Sequence, residues 1–596
     1  MKETISREIE AIAAAYARGA LQPHELLDRA FTRLEALGTQ PIWTYVLPRA
    51  HAHALLDAAI ERRARGESLP LFGIPFAIKD NIDLAGVPTT AGCPAFARTP
   101  TEHATAVAWL IRAGAIPLGK TNLDQFATGL VGTRSPYGVC SSAFDPLRVS
   151  GGSSSGSALA VAHGIVSFAL GTDTAGSGRV PAAFNNLVGW KPTRGLVSTR
   201  GVVPACRSLD CVSVFAGSVG DAERVAAVIA GFDAEDPFSR EKQAKNGAIA
   251  RLGVPRSLEF FGDRTYERLF AEAVERVQVL GARVVPIDLE PFLAAARLLY
   301  GGPWVAERYA AVGDFIEAHP GEVHPVVRDI VLGGRGVTGA DAFRGSYRLA
   351  ELKRATDRAF DEVDALLLPT APFHPTIEAV LADPVEQNAK LGLYTNFVNL
   401  LDLAALAVPA GFTESGLPFG VTLIGPAFSD GALAAFGDRL HRANAPTWGA
   451  SGLALGDAPP RAVENSGTVL LAVAGAHLSG QPLNHQLTSR HATLVRTVRT
   501  ATDYRLFALA NTTPPKPGLV RTPGHTGGGI ELEVWSLTTE AFGSFVAEVP
   551  APMVIGTVEL EDGARVKGFL CEPAALEGSE DITHLGGWRA FLARSP

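Results

Sequence analysis

The chain has 596 residues, of which 47% are hydrophobic and 19% charged, so it can bury a large core and exceeds one small domain. Its formal net charge of −8 excludes extensive nucleic-acid contact, because phosphate binding needs concentrated Lys and Arg. Five cysteines show no paired or metal-ligand spacing: Cys93, Cys140, Cys206, Cys211 and Cys571. We therefore expect free thiols in a reducing cytoplasm, and no metal site.

Helical periodicity covers residues 5–37, and the charged, amphipathic start lacks the apolar region of a signal peptide. The longest apolar run, residues 158–170, is shorter than the ~20 residues that a helix needs to cross a bilayer. The sequence therefore predicts no contact with a membrane.

An apolar strand is predicted at residues 71–78, and Lys79 follows it directly. Burial disfavours a charged ammonium group, so a lysine that emerges from a buried strand can have a low pKa and accept a proton. Lys79 is therefore a candidate general base.

Residues 114–121 fit the phosphate-loop pattern, but a functional phosphate loop follows a strand and begins a helix. Here the pattern predicts a helix at 104–112, a helix C-cap at Gly114 and a strand at 115–118, which is the reverse order. Residues 152–156 fit G-x-S-x-G without the preceding hydrophobic strand of a nucleophile elbow. We interpret both matches as accidental.

Two loops rich in glycine and serine, residues 151–157 and 171–179, flank the apolar run. Glycine beside serine lets backbone N–H groups approach a ligand, so each loop can expose a hydroxyl and stabilise an oxyanion. His163 lies inside the apolar run, and we predict that it is a helix residue with satisfied hydrogen bonds in the core. Lysine is then the better candidate for the base that activates a serine nucleophile.

Together these segments resemble the amidase signature family, from residue 71 to about 204 and again at residues 364–370, 406–411 and 416–421. The resemblance implies an α/β fold in which helices cover a mixed β-sheet core. It also implies a Ser-cisSer-Lys triad.

Matched residue by residue, the family pattern implies that Ser177 is the nucleophile, Ser153 the bridging serine held by a cis peptide, and Lys79 the base. The lysine then takes a proton from the bridging serine, which takes one from the nucleophile. The resemblance implies no cofactor.

The same resemblance places the oxyanion hole at the backbone N–H groups of Thr174, Ala175, Gly176 and Ser177. These groups would stabilise the negative charge that develops on the substrate carbonyl oxygen.

We predict a catalytic domain at residues 1–450, a linker rich in Gly, Ala and Pro at 451–467, and a second domain at 468–596. Alternating patterns in the second domain predict strands at 468–473, 504–509 and 530–535. The second domain is therefore expected to be a smaller, strand-rich α+β unit.

An amidase core followed by the tail segment 475–484 resembles the allophanate hydrolase family over nearly the whole chain. The tail alone resembles the γ-glutamyl cyclotransferase fold. The resemblance implies a small anionic substrate, allophanate, converted to ammonia and carbon dioxide in urea or cyanuric acid catabolism. It also implies a functional link to a biotin-dependent urea carboxylase, and we expect a homodimer.

His477 lies in a glycine-bearing loop just after a strand and is a candidate proton donor for decarboxylation of the N-carboxycarbamate product. Alternatively, decarboxylation is spontaneous and the tail is a structural or dimerisation module. Both interpretations stay open on the sequence.

Tyr300 and Arg308 are substrate-binding candidates by the same resemblance, because arginine can bind a carboxylate with two hydrogen bonds. If the segment is helical despite Gly301, Gly302 and Pro303, their spacing of eight places both on roughly one face. The alternative is an arginine on a solvated helix face and a tyrosine in the core.

Two other functions share the same triad. One is a broad amidase acting on neutral amides, and only the anion-binding residues and the tail oppose it. The other is the amidase-like component of a tRNA-dependent amidotransferase complex, which the acidic balance and the extra domain disfavour.

Overall fold

The computed structural model describes residues 8–38, 40–243, 247–444, 447–456, 468–490, 492–510, 512 and 514–594. The chain divides into two compact units, Met1–Asp457 and Ala458–Pro596. Within the described ranges, no helix is both long enough and apolar enough to cross a membrane.

The first unit is built around an eleven-stranded sheet. Its strands are β1 (Trp43–Val46), β2 (Pro75–Lys79), β3 (Ile116–Thr121), β4 (Phe168–Asp173), β5 (Val188–Lys191), β6 (Cys211–Ala216), β7 (Arg251–Pro255), β8 (Arg283–Ile287), β9 (Ala365–Pro369), β10 (Leu403–Phe412) and β11 (Pro418–Pro426). Their spatial order is β1-β3-β2-β4-β6-β5-β10-β11-β9-β7-β8. β2 is parallel to both β3 and β4, whereas β4 is antiparallel to β6, so the predicted mixed sheet is confirmed.

Helices pack against this sheet. In the described part of the first unit they are α1 (Ile9–Ala17), α2 (Pro23–Ala36), α3 (Arg49–Ala64), α4 (Thr105–Arg112), α5 (Ser155–Ala162), α6 (Val180–Ala183), α7 (Val219–Ile229), α8 (Arg264–Val279), α9 (Glu290–Gly301), α10 (Trp304–Ala318), α11 (Pro325–Leu332), α12 (Gly339–Asp357), α13 (Ala359–Glu362), α14 (Ile377–Ala382), α15 (Glu386–Leu391), α16 (Phe397–Leu400) and α17 (Asp430–Asn444). The central strands β2, β3, β4 and β6 are buried along their whole length, so their sequences are mostly apolar rather than alternating, with polar residues at the carboxyl ends of β2, β3 and β4.

The strand predicted at 71–78 is shorter than expected and includes the lysine. Gly73 adopts a φ of +68°, which turns the chain before β2 begins at Pro75. Phe76 of β2 stacks on Phe168 of β4 with ring centroids 5.2 Å apart, which joins the strand that ends at Lys79 to the strand that leads into the glycine-rich loop 171–179.

The reversed order in the phosphate-loop pattern is confirmed. α4 ends at Arg112, Gly114 follows with a φ of +92°, and β3 contains the Gly-Lys-Thr of the pattern. Lys120, the lysine of that pattern, is buried and pairs with the buried carboxylate of Asp80 at 2.9 Å. It is therefore part of the core.

The prediction that His163 is a helix residue with satisfied hydrogen bonds in the core is wrong. α5 ends at Ala162 with His163 as its C-cap, Gly164 adopts a φ of +61° and lets the chain leave the helix, and β4 begins at Phe168. His163 is half-buried, and its Nε2 atom has no hydrogen-bond partner among the described residues. It is a helix C-cap rather than a satisfied core residue.

Part of the predicted linker belongs to the first unit. β12 (Thr447–Trp448) pairs with β13 (Leu453–Ala454), which lies within residues 451–456 of that linker. Residues 457–467 lie outside the described residues.

The second unit contains a five-stranded sheet and a three-stranded sheet. Its elements are β14 (Thr468–Val473), α18 (His485–Thr488), β15 (Thr493–Arg499), β16 (Tyr504–Ala508), β17 (Pro517–Arg521), β18 (Glu531–Thr538), α19 (Thr539–Val546), β19 (Met553–Glu559), β20 (Arg565–Cys571), β21 (Glu580–Asp581) and α20 (Trp588–Leu592). The sheet orders are β15-β18-β14-β20-β19 and β17-β16-β21. The predicted strand-rich tail is confirmed, and β14, β16 and β18 are its three predicted strands.

Candidate active site

Three buried side chains form a continuous chain of polar atoms at one edge of the large sheet. Lys79 Nζ lies 2.8 Å from Ser153 Oγ, and Ser153 Oγ lies 2.9 Å from Ser177 Oγ. All three side chains are almost fully buried. Hydroxyl protons can rotate between neighbouring acceptors, so a proton can pass along this row of atoms.

The topology brings these residues together. Lys79 ends β2 and Ser177 follows β4, and these parallel strands are neighbours, so their carboxyl ends meet at the same edge. Ser153 lies just before α5, and the Gly152–Ser153 peptide is cis. A Cβ atom on Gly152 would lie 2.2 Å from Asp124 Oδ2, so only glycine fits this approach.

Burial sets the charge of the lysine. It lowers the pKa of Lys79 to about 7, although the carboxylates of Asp124, Asp210 and Asp173 partly oppose this shift. Near neutral pH a substantial share of the Lys79 amine is therefore uncharged and can accept a proton.

Thr172 is a neighbour of the lysine that the sequence analysis missed. Its Oγ1 lies 2.7 Å from Lys79 Nζ and accepts a hydrogen bond from Asn81 Nδ2 at 3.2 Å. The Lys79 amine therefore has two hydroxyl neighbours, Ser153 and Thr172. Thr172 lies on β4, the strand beside β2, and within the glycine-rich motif, and this position is the signal that could have identified it.

Asp173 organises the loop that contains Ser177. Its carboxylate accepts hydrogen bonds from the N–H groups of Gly176 and Gly178 at 2.9 and 3.0 Å. Arg179 binds it with two nitrogens, both at 2.9 Å, and neither side chain is exposed. Burial alone would raise the pKa of Asp173, but Arg179 holds it below the usual value, so the loop is tied to a carboxylate anion.

The predicted oxyanion donors differ in availability. The N–H group of Gly176 already donates to Asp173, whereas no acceptor for the N–H groups of Thr174, Ala175 or Ser177 occurs within the described part of the chain. Gly176 has a φ of +134°, and a Cβ atom there would lie 2.4 Å from the hydroxyl of Thr395, so glycine is required for the turn.

Tyr300 and Arg308 lie side by side, but they do not share one helix. α9 ends at Gly301 and α10 begins at Trp304, with Gly302 and Pro303 between them, so the expected single helical face is absent. The Arg308 guanidinium carbon instead lies 5.5 Å from the centre of the Tyr300 ring. The break in the helix brings the two residues together.

Arg308 is a buried cation that forms no ion pair with the described residues. Its Nη1 donates to Thr128 Oγ1 at 3.0 Å, and its Nε has no partner among these residues. Burial alone would lower the pKa of Arg308, but Cys206, Tyr300 and Asp210 raise it, so the side chain stays charged. A buried, incompletely paired guanidinium is suited to bind an anion.

The second unit contains a cavity of about 210 Å³ that His477 lines. The His477 ring stacks on Phe569 and meets Phe545 edge-on, and its Nε2 lies 2.9 Å from Gln486 Oε1. Lys516 also lines the cavity. Burial lowers the pKa of His477, so its ring is mostly neutral at neutral pH.

Two family patterns match the chain. The Amidase pattern matches residues 25–434, and the pattern of the allophanate hydrolase C-terminal domain matches residues 469–593. The structure of SeMet-substituted Kluyveromyces lactis allophanate hydrolase is 42% identical, covers 99% of this chain and 100% of that chain, and superposes with a TM-score of 0.80.

Proteins that are longer or shorter than this chain are also similar to it in sequence. A urea amidolyase of Lachancea kluyveri is 48% identical over 93% of this chain, which spans only 31% of that relative. A glutamyl-tRNA(Gln) amidotransferase component of Chloroflexus aurantiacus is 36% identical over 74% of this chain and 97% of its own length. By these matches the chain belongs to the amidase family and carries an allophanate hydrolase C-terminal domain after its amidase core.

Proposed function

We propose that this protein hydrolyses allophanate, with Ser177 as nucleophile, Ser153 as bridging serine and Lys79 as base. The observation that carries the proposal is a buried cation, Arg308, bound to a loop that contacts the Ser-Ser-Lys site. Thr128 binds Arg308, and the carbonyl of the next residue, Gly129, lies 3.5 Å from Ser177 Oγ. The matched allophanate hydrolase structure covers both units of the chain, which supports the same substrate.

In the first step neutral Lys79 accepts the Ser153 proton while Ser153 accepts the Ser177 proton. The Ser177 oxygen attacks the terminal amide carbonyl of allophanate, and the relay then runs backwards to protonate the departing ammonia. The N–H groups of Ala175 and Ser177 stabilise the oxyanion, together with that of Thr174. Water then hydrolyses the acyl-enzyme by the same relay and gives N-carboxycarbamate.

Substrate orientation comes from the carboxylate of allophanate. The Arg308 guanidinium binds it, and the Tyr300 ring beside that cation limits the width of the pocket. A neutral amide lacks this interaction, so the broad-amidase alternative leaves the buried cation without a role.

The amidotransferase alternative is weaker. The matched amidotransferase component covers 74% of this chain, so the similarity does not account for the whole protein. Copurification of partner chains or tRNA would favour this alternative.

The second unit is proposed to complete the reaction. Decarboxylation of N-carboxycarbamate needs a proton on nitrogen, after which carbon dioxide leaves and carbamate remains to give ammonia and a second carbon dioxide. His477 lines a cavity large enough for this small dianion, and binding of the dianion would raise the fraction of protonated imidazole.

The proposal also includes a cytoplasmic homodimer and a functional link to a biotin-dependent urea carboxylase. Urea amidolyases of about three times this length contain the matched segment, which supports the link to urea breakdown. Supplying allophanate to the purified protein tests the overall reaction, with an expected release of about two ammonia and two carbon dioxide per substrate.

Replacing the nucleophile should abolish hydrolysis. Ser177→Ala is expected to reduce ammonia release from allophanate by at least about 10³-fold, because no attacking oxygen remains. Ser346→Ala, on the exposed face of α12, is the matched control and should retain full activity. Residual activity above about a tenth of wild type would mean that another group attacks the substrate.

The rate should follow the charge of the lysine. Because protonated Lys79 cannot accept a proton, kcat/KM for allophanate is expected to rise with pH through about 7 and to level off above it. Lys353→Met removes an exposed lysine on α12 and should leave the midpoint in place. A flat profile across this pH range would contradict a neutral Lys79 as the base.

Removing the buried cation should affect charged substrates selectively. Arg308→Leu is expected to reduce kcat/KM for allophanate by an amount equivalent to about 2–5 kcal/mol, and for propionamide much less. Arg297→Leu, on the exposed side of α9, serves as the control. Equal losses on both substrates would assign Arg308 a structural role.

Loss of His477 should separate the two products. The His477→Ala protein is expected to release the first ammonia at the wild-type rate and carbon dioxide more slowly, because the proton donor is missing. His485→Ala changes an exposed histidine nearby and should behave as wild type. Carbon dioxide release as fast as wild type would make the tail a structural module.

A further inference from the structure

One loop, residues 124–134, contacts both serines of the active site, and we call it the anchor loop. The Asp124 N–H donates to the Ser153 carbonyl at 3.1 Å. Further along, the Gly129 carbonyl lies 3.5 Å from Ser177 Oγ. The position of the anchor loop is therefore coupled to the bridging serine and to the attacking oxygen.

The anchor loop also holds the buried cation, through Thr128. The Thr128 hydroxyl donates to the Phe126 carbonyl at 3.2 Å and accepts from Arg308 Nη1 at 3.0 Å. Because its proton is engaged by Phe126, its oxygen lone pair faces the guanidinium. Within the described ranges this is the one hydrogen bond that the Arg308 side chain makes.

The backbone of the anchor loop around Thr128 is held by several contacts. Phe126 and Ala127 adopt φ values of +50° and +52°, which non-glycine residues keep only where the surroundings impose them. Arg134 Nη1 donates to the Thr128 carbonyl at 3.1 Å. The Asp124 carboxylate accepts three backbone N–H groups of the same loop, so the loop has little freedom to shift.

We propose that Thr128 is a positioning residue that fixes the distance between the Arg308 guanidinium and the Ser177 oxygen. This spacing selects amides whose carboxylate carbon is separated from the amide carbonyl by a single atom. The inference rests on the proposed function of Ser177 and Arg308, and it adds the residue that sets substrate length.

The mechanism is geometric. With the guanidinium held by Thr128, a bound carboxylate places the carbonyl of a short amide at the nucleophile. A substrate longer by one methylene holds its carbonyl farther from its carboxylate, so the two groups cannot meet Ser177 and Arg308 in the same geometry. Without the threonine hydroxyl, Arg308 can adopt other rotamers, so short substrates lose orientation and longer ones gain access.

The test compares four substrates in the full-length chain. Allophanate and malonamate have the short spacing, succinamate is one methylene longer, and malonamide is a neutral match for malonamate. Thr128→Val removes the hydroxyl at nearly constant volume, and Thr128→Ser retains it. Thr128→Ala removes the hydroxyl with less bulk and replaces the valine variant if that variant is insoluble.

Thr128→Val is expected to raise KM for allophanate and malonamate about tenfold or more, with a smaller change in kcat. The succinamate-to-malonamate ratio of kcat/KM should rise about tenfold, the usual scale of discrimination for one methylene. The loss on malonamide should be at least about tenfold smaller than that on malonamate, and Thr128→Ser should recover most of the wild-type ratio. In an Arg308→Leu background, Thr128→Val should add less than about twofold.

Three results would overturn the inference: an unchanged succinamate-to-malonamate ratio, equal losses on malonamide and malonamate, or a full effect of Thr128→Val without Arg308. Failure of the proposed function has a different signature. A wild-type protein that hydrolyses malonamate but not allophanate refutes allophanate as the substrate. The succinamate-to-malonamate ratio of kcat/KM still tests the role of Thr128 in that case.

Discussion

Burial of the Lys79 amine is the constraint on which the arrangement of the proposed catalytic residues depends. The side chain is fully buried, and within the described residues its amine contacts the hydroxyl groups of Ser153 and Thr172. The same burial makes the charged form costly and brings the pKa to about 7. A solvated lysine would stay protonated near neutrality and could not act as a base, so the packed sheet around β2 is a chemical requirement of the site.

Two buried ionic groups complete this arrangement in opposite ways. The Asp173 carboxylate pairs with Arg179 and accepts two backbone N–H groups, so it holds the loop that contains Ser177 in place. Arg308 has one hydrogen bond to Thr128, so its remaining donors are available to an anion. Asp173 and Arg179 thus form a buried ion pair that holds the backbone in place, whereas Arg308 is a buried cation with donors left for the proposed substrate carboxylate.

The sequence was most informative where motifs are local. Lys79, Ser153 and Ser177 lie in short glycine-rich or apolar segments, and the structure brings them within hydrogen-bond distance of one another. The end of α5 could not be located, because the apolar residues after His163 suit a helix and a buried strand equally well.

Contacts between residues that lie far apart in the sequence could not be predicted either. Thr128 meets Arg308 across 180 residues, a pairing that neither spacing nor composition encodes. The family resemblance alone indicates Tyr300 and Arg308. Their proximity depends on a helix break at Gly302 and Pro303, which the eight-residue spacing does not predict.

Crowding around Asp124 has an evolutionary consequence. Cβ atoms added to Gly129 or Gly152 would lie 2.6 and 2.2 Å from the same carboxylate oxygen of Asp124. Moving that carboxylate would leave three buried N–H groups without an acceptor. Replacing the aspartate or either glycine alone therefore gives a destabilised protein. New substrate specificities in this fold are more accessible through changes of side chains such as that of Thr128 than through changes of the backbone.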